Sequence, residues 1–172
     1  AHILNYARKI DSLEMFSYFS TDEVFGPAPD GISYKENDRY NSTNPYSASK
    51  AGAEELVVAF ENTYGLPAII THTMNVFGER QHPEKYIPNT LWKLKNGDKI
   101  TIHSDKTKTK PGSRHYVYAE DVADAVYFII NNKDKIIGKS LDQYGAKCPK
   151  VNIPGTDELD NLEVAQLIAK FS

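Results

Sequence analysis

The chain has 172 residues, of which 40% are hydrophobic and 25% charged, and its formal net charge is -3 at neutral pH. These values suit one globular domain and argue against a disordered, membrane-spanning or nucleic-acid-binding protein, since no apolar run reaches the ~20 residues of a membrane helix. The histidines do not fall at metal-ligand spacings, so no metal is expected. The single cysteine, Cys148, fits a reducing compartment and predicts a cytoplasmic protein.

Hydrophobic periodicity predicts helices and strands that alternate along the chain. In order, the predicted elements are a helix near 3–10, a strand at 14–19, a long loop at 21–45, a helix at 47–64, a strand at 67–71, a second loop at 75–88, a helix at 89–96, strands at 99–103 and 115–118, a helix at 120–130, a strand at 151–153 and a closing helix at 161–171. This alternation predicts an α/β fold with a largely parallel sheet. The helix at 47–64 is expected to bury Ala48, Ala51, Leu56, Val57 and Phe60.

Tyr46 and Lys50 stand four residues apart at the start of the strongest predicted helix, so they share one face of it. A phenol acts as a base near neutral pH only if its anion is stabilised, which needs about 4 kcal/mol. One ammonium at about 4 Å in an effective dielectric of about 20 supplies that much. Because tyrosine and lysine are both common here, one such pair is expected by chance, and it carries weight only in context.

That context is the stretch Ser20-Thr21-Asp22-Glu23, which comes directly after the predicted strand at 14–19. Ligand sites in α/β sheets lie outside the carboxyl ends of strands. A hydroxyl followed by two carboxylates can serve as an acid/base set if the two environments push their pKa values apart. Taken alone, two adjacent acids are more often a turn or a helix cap. A strand, a hydroxyl with two acids, a loop and then Tyr-x-x-x-Lys form a much rarer combination.

Together these motifs resemble the extended short-chain dehydrogenase/reductase family, in particular its dTDP-glucose and UDP-glucose 4,6-dehydratases. The matching stretches are STDEVFG at 20–26, NPYSASKAGAE at 44–54, NVFG at 75–78, HPEKYIP at 82–88 and RHYVYAEDV at 114–122. The two acids after Thr21 are the discriminating feature, since relatives that only epimerise or decarboxylate share the Tyr/Lys pair but usually lack both acids.

The resemblance implies a cycle that uses tightly held NAD and leaves no net redox change. Tyr46, with Thr21 and Lys50, would remove the proton of the sugar C4 hydroxyl, and Tyr46 and Lys50 would also contact the cofactor. The 4-ketone then acidifies the C5 proton, which Glu23 would take while Asp22 protonates the departing C6 hydroxyl.

The same resemblance implies that dTDP- or UDP-glucose is the substrate. The residues that match positions holding the sugar nucleotide are Asn75, Glu84, Lys85 and Arg114. Relatives often dimerise through the helix that carries Tyr-x-x-x-Lys, so a homodimer is a further hypothesis.

The family's glycine-rich phosphate loop should precede these motifs, yet the first glycine of the chain is Gly26. The chain is therefore predicted to be a fragment, incomplete at both termini. Residues 1–74 are expected to be the C-terminal half of an NAD-binding Rossmann-like domain with the catalytic residues. Residues 75–172 are expected to form a mixed, substrate-binding region with returning sheet elements.

Two other functions stay open at this point. One is a UDP-sugar epimerase or decarboxylase of the same family, for which Asp22 and Glu23 should be dispensable. The other is a fragment without catalysis of its own, or a remnant that binds a partner, because half of the NAD site is missing.

Overall fold

The structure is a computed structural model that describes residues 1–29, 31–138 and 148–171. The chain divides into two compact units. The first comprises residues 1–73 and 123–153, and the second comprises residues 74–122 and 154–172. The predicted α/β fold with a parallel sheet is confirmed.

A three-stranded parallel sheet organises the first unit. Its strands are β1 (Phe16–Thr21), β2 (Ala68–Thr73) and β5 (Lys150–Ile153), in the order β1-β2-β5. The central strand β2 is buried over its first five residues, as expected for a strand covered on both faces. Its register places Ser20 beside His72, and Thr21 beside Thr73. The carboxyl ends of β1 and β2 therefore lie next to each other.

Helix α2 (Pro45–Tyr64) connects β1 to β2 and packs on both strands. It begins two residues before the predicted start because Asn44 caps it and Pro45 fits the first turn. Gly65, in the left-handed conformation, ends it. The short helix α1 (His2–Ala7) contributes Leu4 to the same core as Val57, Leu66 and Ile70.

The predicted buried face of α2 is partly wrong. Ala51 and Val57 are buried, but Leu56 is 42% exposed and Ala48 is also exposed. The buried face is completed by three polar residues, Ser47, Glu54 and Glu61. Hydrophobic periodicity misses this face because a glutamate can be buried when other side chains satisfy it.

The second unit contains β3 (Asn75–Phe77), β4 (Ser113–Tyr118) and β6 (Glu158–Asp160). Strand β3 pairs with β4 in parallel, and β4 pairs with β6 in antiparallel fashion. Helices α3 (Tyr86–Lys95) and α6 (Asn161–Phe171) pack against each other. Helix α4 (Ala119–Asn131) runs from the second unit into the first, and the short α5 (Lys133–Ile136) follows it.

The strand predicted at 99–103 is wrong. Those residues form no regular element, and the stretch after them makes one isolated bridge, between Ser104 and Pro111. The alternation of Ile100 and Ile102 with polar residues resembles a strand, but a strand also needs a partner for its backbone hydrogen bonds. The short strands β3 and β6 were in turn not predicted as strands, because three residues carry too little pattern.

Gly26 is a position where the backbone requires glycine. Its φ is +75°, and a Cβ there would lie 2.4 Å from the carbonyl oxygen of Asn41. We expect Gly26→Ala to lower the free energy of unfolding by about 1–3 kcal/mol, measured by urea denaturation. Gly31→Ala is the matched control, because its φ is +77° but nothing lies within 4 Å of an added Cβ. Equal losses in the two variants would contradict a role for the Asn41 contact.

Candidate active site

The predicted hydroxyl and acids lie together at the carboxyl end of β1. Thr21 is the last residue of that strand, and Asp22 and Glu23 open a single-turn 3₁₀ helix, Asp22–Phe25. The Thr21 hydroxyl accepts a hydrogen bond from the backbone N–H of Glu23 and donates to Asp22 Oδ1, both at 3.3 Å. A threonine in extended conformation is a favourable cap for such a turn, which explains the local order Thr-Asp-Glu.

The two carboxylates have different surroundings. Asp22 is half-buried beside the Thr21 hydroxyl, whereas Glu23 is exposed and accepts a hydrogen bond from Asn44 Nδ2 at 3.1 Å. Of two adjacent carboxyl groups in different environments, one can act as a general acid and the other as a general base. The arrangement could therefore supply one acid and one base to a ligand.

Asn44 joins the two motifs that the sequence separates. Its side chain accepts a hydrogen bond from the backbone N–H of Ser47 at 2.8 Å, and so caps the helix that carries Tyr46 and Lys50. The amide nitrogen of the same side chain is the donor to Glu23. One residue thus fixes the start of α2 beside the acidic turn that follows β1.

Tyr46 and Lys50 are both accessible on α2. Tyr46 is 56% exposed, and Lys50 is partly exposed. The Lys50 ammonium donates to the carbonyl oxygen of Phe19 at 2.5 Å and lies 4.3 Å from the centre of the Tyr18 ring. These contacts hold the positive charge at the carboxyl end of β1, within two residues of Thr21.

The cap can be tested by substitution. We expect Asn44→Ala to lower the free energy of unfolding by about 1 kcal/mol, because the N–H of Ser47 loses its acceptor. Asn44→Ser is the matched control, since serine caps a helix well but lacks the amide that donates to Glu23. Thermal unfolding should therefore separate the two variants. Equal stability of Asn44→Ala and wild type would contradict the capping role.

A buried polar network lies behind these residues, and sequence reasoning missed it. Glu54 has no exposed surface, and its carboxylate accepts hydrogen bonds from the hydroxyls of Ser20 and Tyr40. Its other buried partner is His72 of β2, with Nε2 3.0 Å from Glu54 Oε2. The opposite ring nitrogen of His72, Nδ1, lies 3.0 Å from Asn152 Oδ1 on β5. The sequence gives one indication of this network: Glu54 follows Lys50 by four residues, as Lys50 follows Tyr46, so the three lie along one side of the helix.

Two pKa shifts follow from this network. Burial opposes ionisation of the Glu54 carboxyl, but hydrogen bonds from His72, Ser20 and Tyr40 outweigh burial and lower the pKa of Glu54. Burial, together with the hydrogen bond to Glu54, raises the pKa of Tyr40 well above its ordinary value. Glu54 is therefore a carboxylate, and Tyr40 stays a phenol that can donate to it.

The four residues predicted to bind the substrate belong to the second unit. Asn75 begins β3, and Arg114 lies on β4 with its guanidinium donating to the Ser113 carbonyl at 2.7 Å. Because Asn75 pairs with Tyr116, and Arg114 is two residues before Tyr116, these side chains share one face of the sheet. Glu84 and Lys85 are both exposed directly before α3, and Glu84 lies 3.9 Å from His82.

The residues that the structure describes contain no group of three or more side chains that could hold a metal ion. Within the same residues, no helix is both long enough and apolar enough to cross a membrane.

Known proteins resemble this chain in sequence and in fold. Residues 1–141 match the model of a family described as the NAD dependent epimerase/dehydratase family. The chain is 38% identical over 182 residues to a dTDP-D-glucose 4,6-dehydratase from Dictyostelium discoideum, covering 99% of this chain and 38% of that protein. It is 41% identical over 133 residues to an Arabidopsis thaliana protein described as a trifunctional UDP-glucose 4,6-dehydratase, epimerase and reductase, covering 76% of this chain and 19% of the relative.

Among solved structures, the fold is similar to that of a dTDP-glucose 4,6-dehydratase from Bacillus anthracis in complex with NAD. The TM-score is 0.82 at 27% identity, with 98% of this chain and 49% of that chain covered. The chain thus spans less than half the length of these relatives.

Proposed function

Because the chain belongs to the NAD dependent epimerase/dehydratase family, we propose that it carries the catalytic residues of a nucleotide-sugar 4,6-dehydratase. The observation that carries the proposal is the meeting of two motifs at the carboxyl end of β1. Thr21 ends that strand, Asp22 and Glu23 follow it, and the cap residue Asn44 holds the start of the Tyr46–Lys50 helix beside them. Dehydration needs two acid/base groups beyond the Tyr/Lys pair, and Asp22 and Glu23 supply them.

We propose NAD as the cofactor, held in part by Tyr46 and Lys50. The donor set suits it, since an accessible phenol and an ammonium beside the carboxyl ends of parallel strands can bind ribose hydroxyls. When bound, NAD would supply reversible hydride transfer, away from C4 of the sugar at the start and back to C6 after water has left, so that the cycle has no net redox change.

The residues of the chain would then move three protons. Tyr46 takes the proton of the C4 hydroxyl, and Lys50, one helical turn further along α2, holds a positive charge at the same strand end. A 4-ketone acidifies the neighbouring C5–H, so the exposed Glu23 carboxylate can remove that proton. Asp22, half-buried beside the Thr21 hydroxyl, donates a proton to the C6 oxygen as it leaves as water. In this order the ketone must form before elimination can occur.

We propose that Asn75, Glu84, Lys85 and Arg114 bind the nucleotide sugar, with Arg114 on its pyrophosphate. An exposed guanidinium can bind two phosphate oxygens at once. The substrate would be dTDP-glucose or UDP-glucose, as the names of the Dictyostelium and Arabidopsis relatives indicate.

We also propose a cytoplasmic location, because the single cysteine suits a reducing compartment.

We further propose a homodimer that forms through α2, whose outer face exposes Ala48, Gly52 and Leu56. Sedimentation analysis would show the dimer directly.

The test is to incubate the purified protein that carries this sequence with NAD and either dTDP-glucose or UDP-glucose. The expected product has lost one water and carries a 4-keto-6-deoxy sugar, identified by mass spectrometry and NMR. Comparing kcat/KM for the two substrates identifies the preferred nucleotide. A product of unchanged mass with inverted C4 would show an epimerase and contradict the proposal.

A further inference from the structure

Glu54 connects the helix of the proposed catalytic pair to the strands beneath it. It lies four residues after Lys50 and eight after Tyr46, so all three share one face of α2. Its carboxylate contacts three other segments: Ser20 at the end of β1, Tyr40 in the loop before α2, and His72 on β2. A fully buried carboxylate with three partners from three segments fixes how the helix lies on the sheet.

Both ring nitrogens of His72 lie within hydrogen-bond distance of a side-chain oxygen. Asn152 turns its amide nitrogen to the carbonyl of Tyr34, so its Oδ1, an acceptor, faces His72 Nδ1. The second ring nitrogen, Nε2, faces the Glu54 carboxylate, which is also an acceptor. Each ring nitrogen therefore faces an acceptor, and a ring with a proton on both nitrogens satisfies both contacts.

The other side chains around Glu54 and His72 are consistent with these donor and acceptor roles. Tyr40 accepts a hydrogen bond from the Lys150 ammonium at 2.6 Å, so its own proton points to Glu54. Ser20 has Glu54 as its acceptor, and the Phe25 ring packs edge-on against His72 at 4.9 Å. The pair is nearly sealed from water, with 1% of His72 and none of Glu54 exposed.

We propose that Glu54 and His72 form a buried ion pair that positions Tyr46 and Lys50 against Thr21 for the proposed dehydratase reaction. The positioning role rests on that proposed function. Two contacts carry it: Lys50 binds the carbonyl of Phe19, and Glu54 binds the side chain of Ser20. Phe19 and Ser20 are the two residues directly before Thr21. Helix α2 is therefore bound to β1 immediately next to the proposed catalytic residues. Glu54 and His72 are positioning residues, since neither side chain is exposed to a ligand.

The test compares Glu54→Gln, His72→Asn and the double variant with wild type. A displacement of about 1 Å in a catalytic group lowers the rate about 100-fold, so we expect each single variant to lower kcat by about that factor, with KM changed less than about threefold. The double variant should be no slower than the singles, because both changes remove one interaction. His72→Arg restores a positive charge and should recover most of kcat.

Glu61→Gln is the matched control, because Glu61 is a second buried glutamate on the same helix, near its C-terminal end and beside Cys148. We expect its kcat to stay within about twofold of wild type. Each variant is assayed below its measured Tm, and the double variant, which leaves no unpaired charge, is the fallback if a single variant does not fold.

Two readouts do not depend on activity. Nitrogen-15 NMR should find protons on both His72 ring nitrogens in wild type at neutral pH and on one in Glu54→Gln. Crystal structures should show the contact of Lys50 with Phe19 lengthened by about 1 Å in Glu54→Gln. A singly protonated ring in wild type, or unchanged kcat in folded His72→Asn, would overturn the inference. An inactive wild type with an imidazolium ring and a shifted Lys50 in the variant would instead contradict the proposed function and support the ion pair.

Discussion

Replacing Asp22 by Asn together with Glu23 by Gln is expected to lower kcat for dehydration by about 10⁴-fold, because elimination loses both its base and its acid. The fold should survive, since Glu23 is exposed, Asp22 is half-buried, and the amides keep the shape of the carboxyls. Product formation by mass spectrometry measures the loss, and circular dichroism checks the fold.

The matched control for this double substitution is Glu120→Gln with Asp121→Asn. These acids also stand side by side, one residue after strand β4 and in the first turn of helix α4. We expect kcat within about twofold of wild type and only a small loss of stability at the helix terminus. Unchanged turnover in Asp22→Asn with Glu23→Gln would rule out the dehydratase and favour an epimerase or decarboxylase.

The single substitutions divide the two acid roles. In deuterated water, Asp22→Asn should still exchange the C5 proton, because Tyr46, Lys50 and Glu23 remain, but it should not release water. Glu23→Gln should neither exchange the C5 proton nor release water. Exchange at C5 that persists in Glu23→Gln would assign the base to another residue.

Tyr46→Phe is expected to lower kcat by about 10³-fold, because the C4 hydroxyl loses the group that takes its proton. Both C5 exchange and elimination should fail together, since no ketone forms to acidify C5. The ring is 56% exposed, so loss of its hydroxyl should leave Tm nearly unchanged.

Tyr64→Phe is the matched control, as Tyr64 ends the same helix and is 53% exposed. Its activity should match wild type. If Tyr46→Phe kept full activity, or if it still exchanged C5, the role of Tyr46 as the base at C4 would be wrong.

The main elements could be predicted from the sequence because they are long or strongly patterned. The apolar run before Ser20 predicts β1, and the helix after Asn44 has both a cap and a stop, Asn44 and Gly65. The site motifs sit at the junction of these elements, so their place at a strand end and a helix start was predictable. Their roles stay predictions.

What could not be predicted depends on contacts between distant residues. Glu54 and His72 are 18 positions apart and satisfy each other only because α2 crosses β2. Hydrophobic periodicity predicts that Leu56 is buried and that a glutamate is exposed, whereas Leu56 is 42% exposed and Glu54 is buried. The strand predicted at 99–103 is wrong for a related reason: its polar and apolar residues alternate, but no strand pairs with it among the residues that the structure describes.

The central claim is that this chain carries a 4,6-dehydratase site, and it is tested most directly with nucleotide sugar that bears deuterium at C4. A dehydratase of the proposed kind transfers that label from C4 to C6 of the same sugar, so NMR should find deuterium in the new C6 methyl group of a 4-keto product. Label that returns to C4 of an epimerised sugar would contradict the account, as would a 4-keto-6-deoxy product with no label at C6.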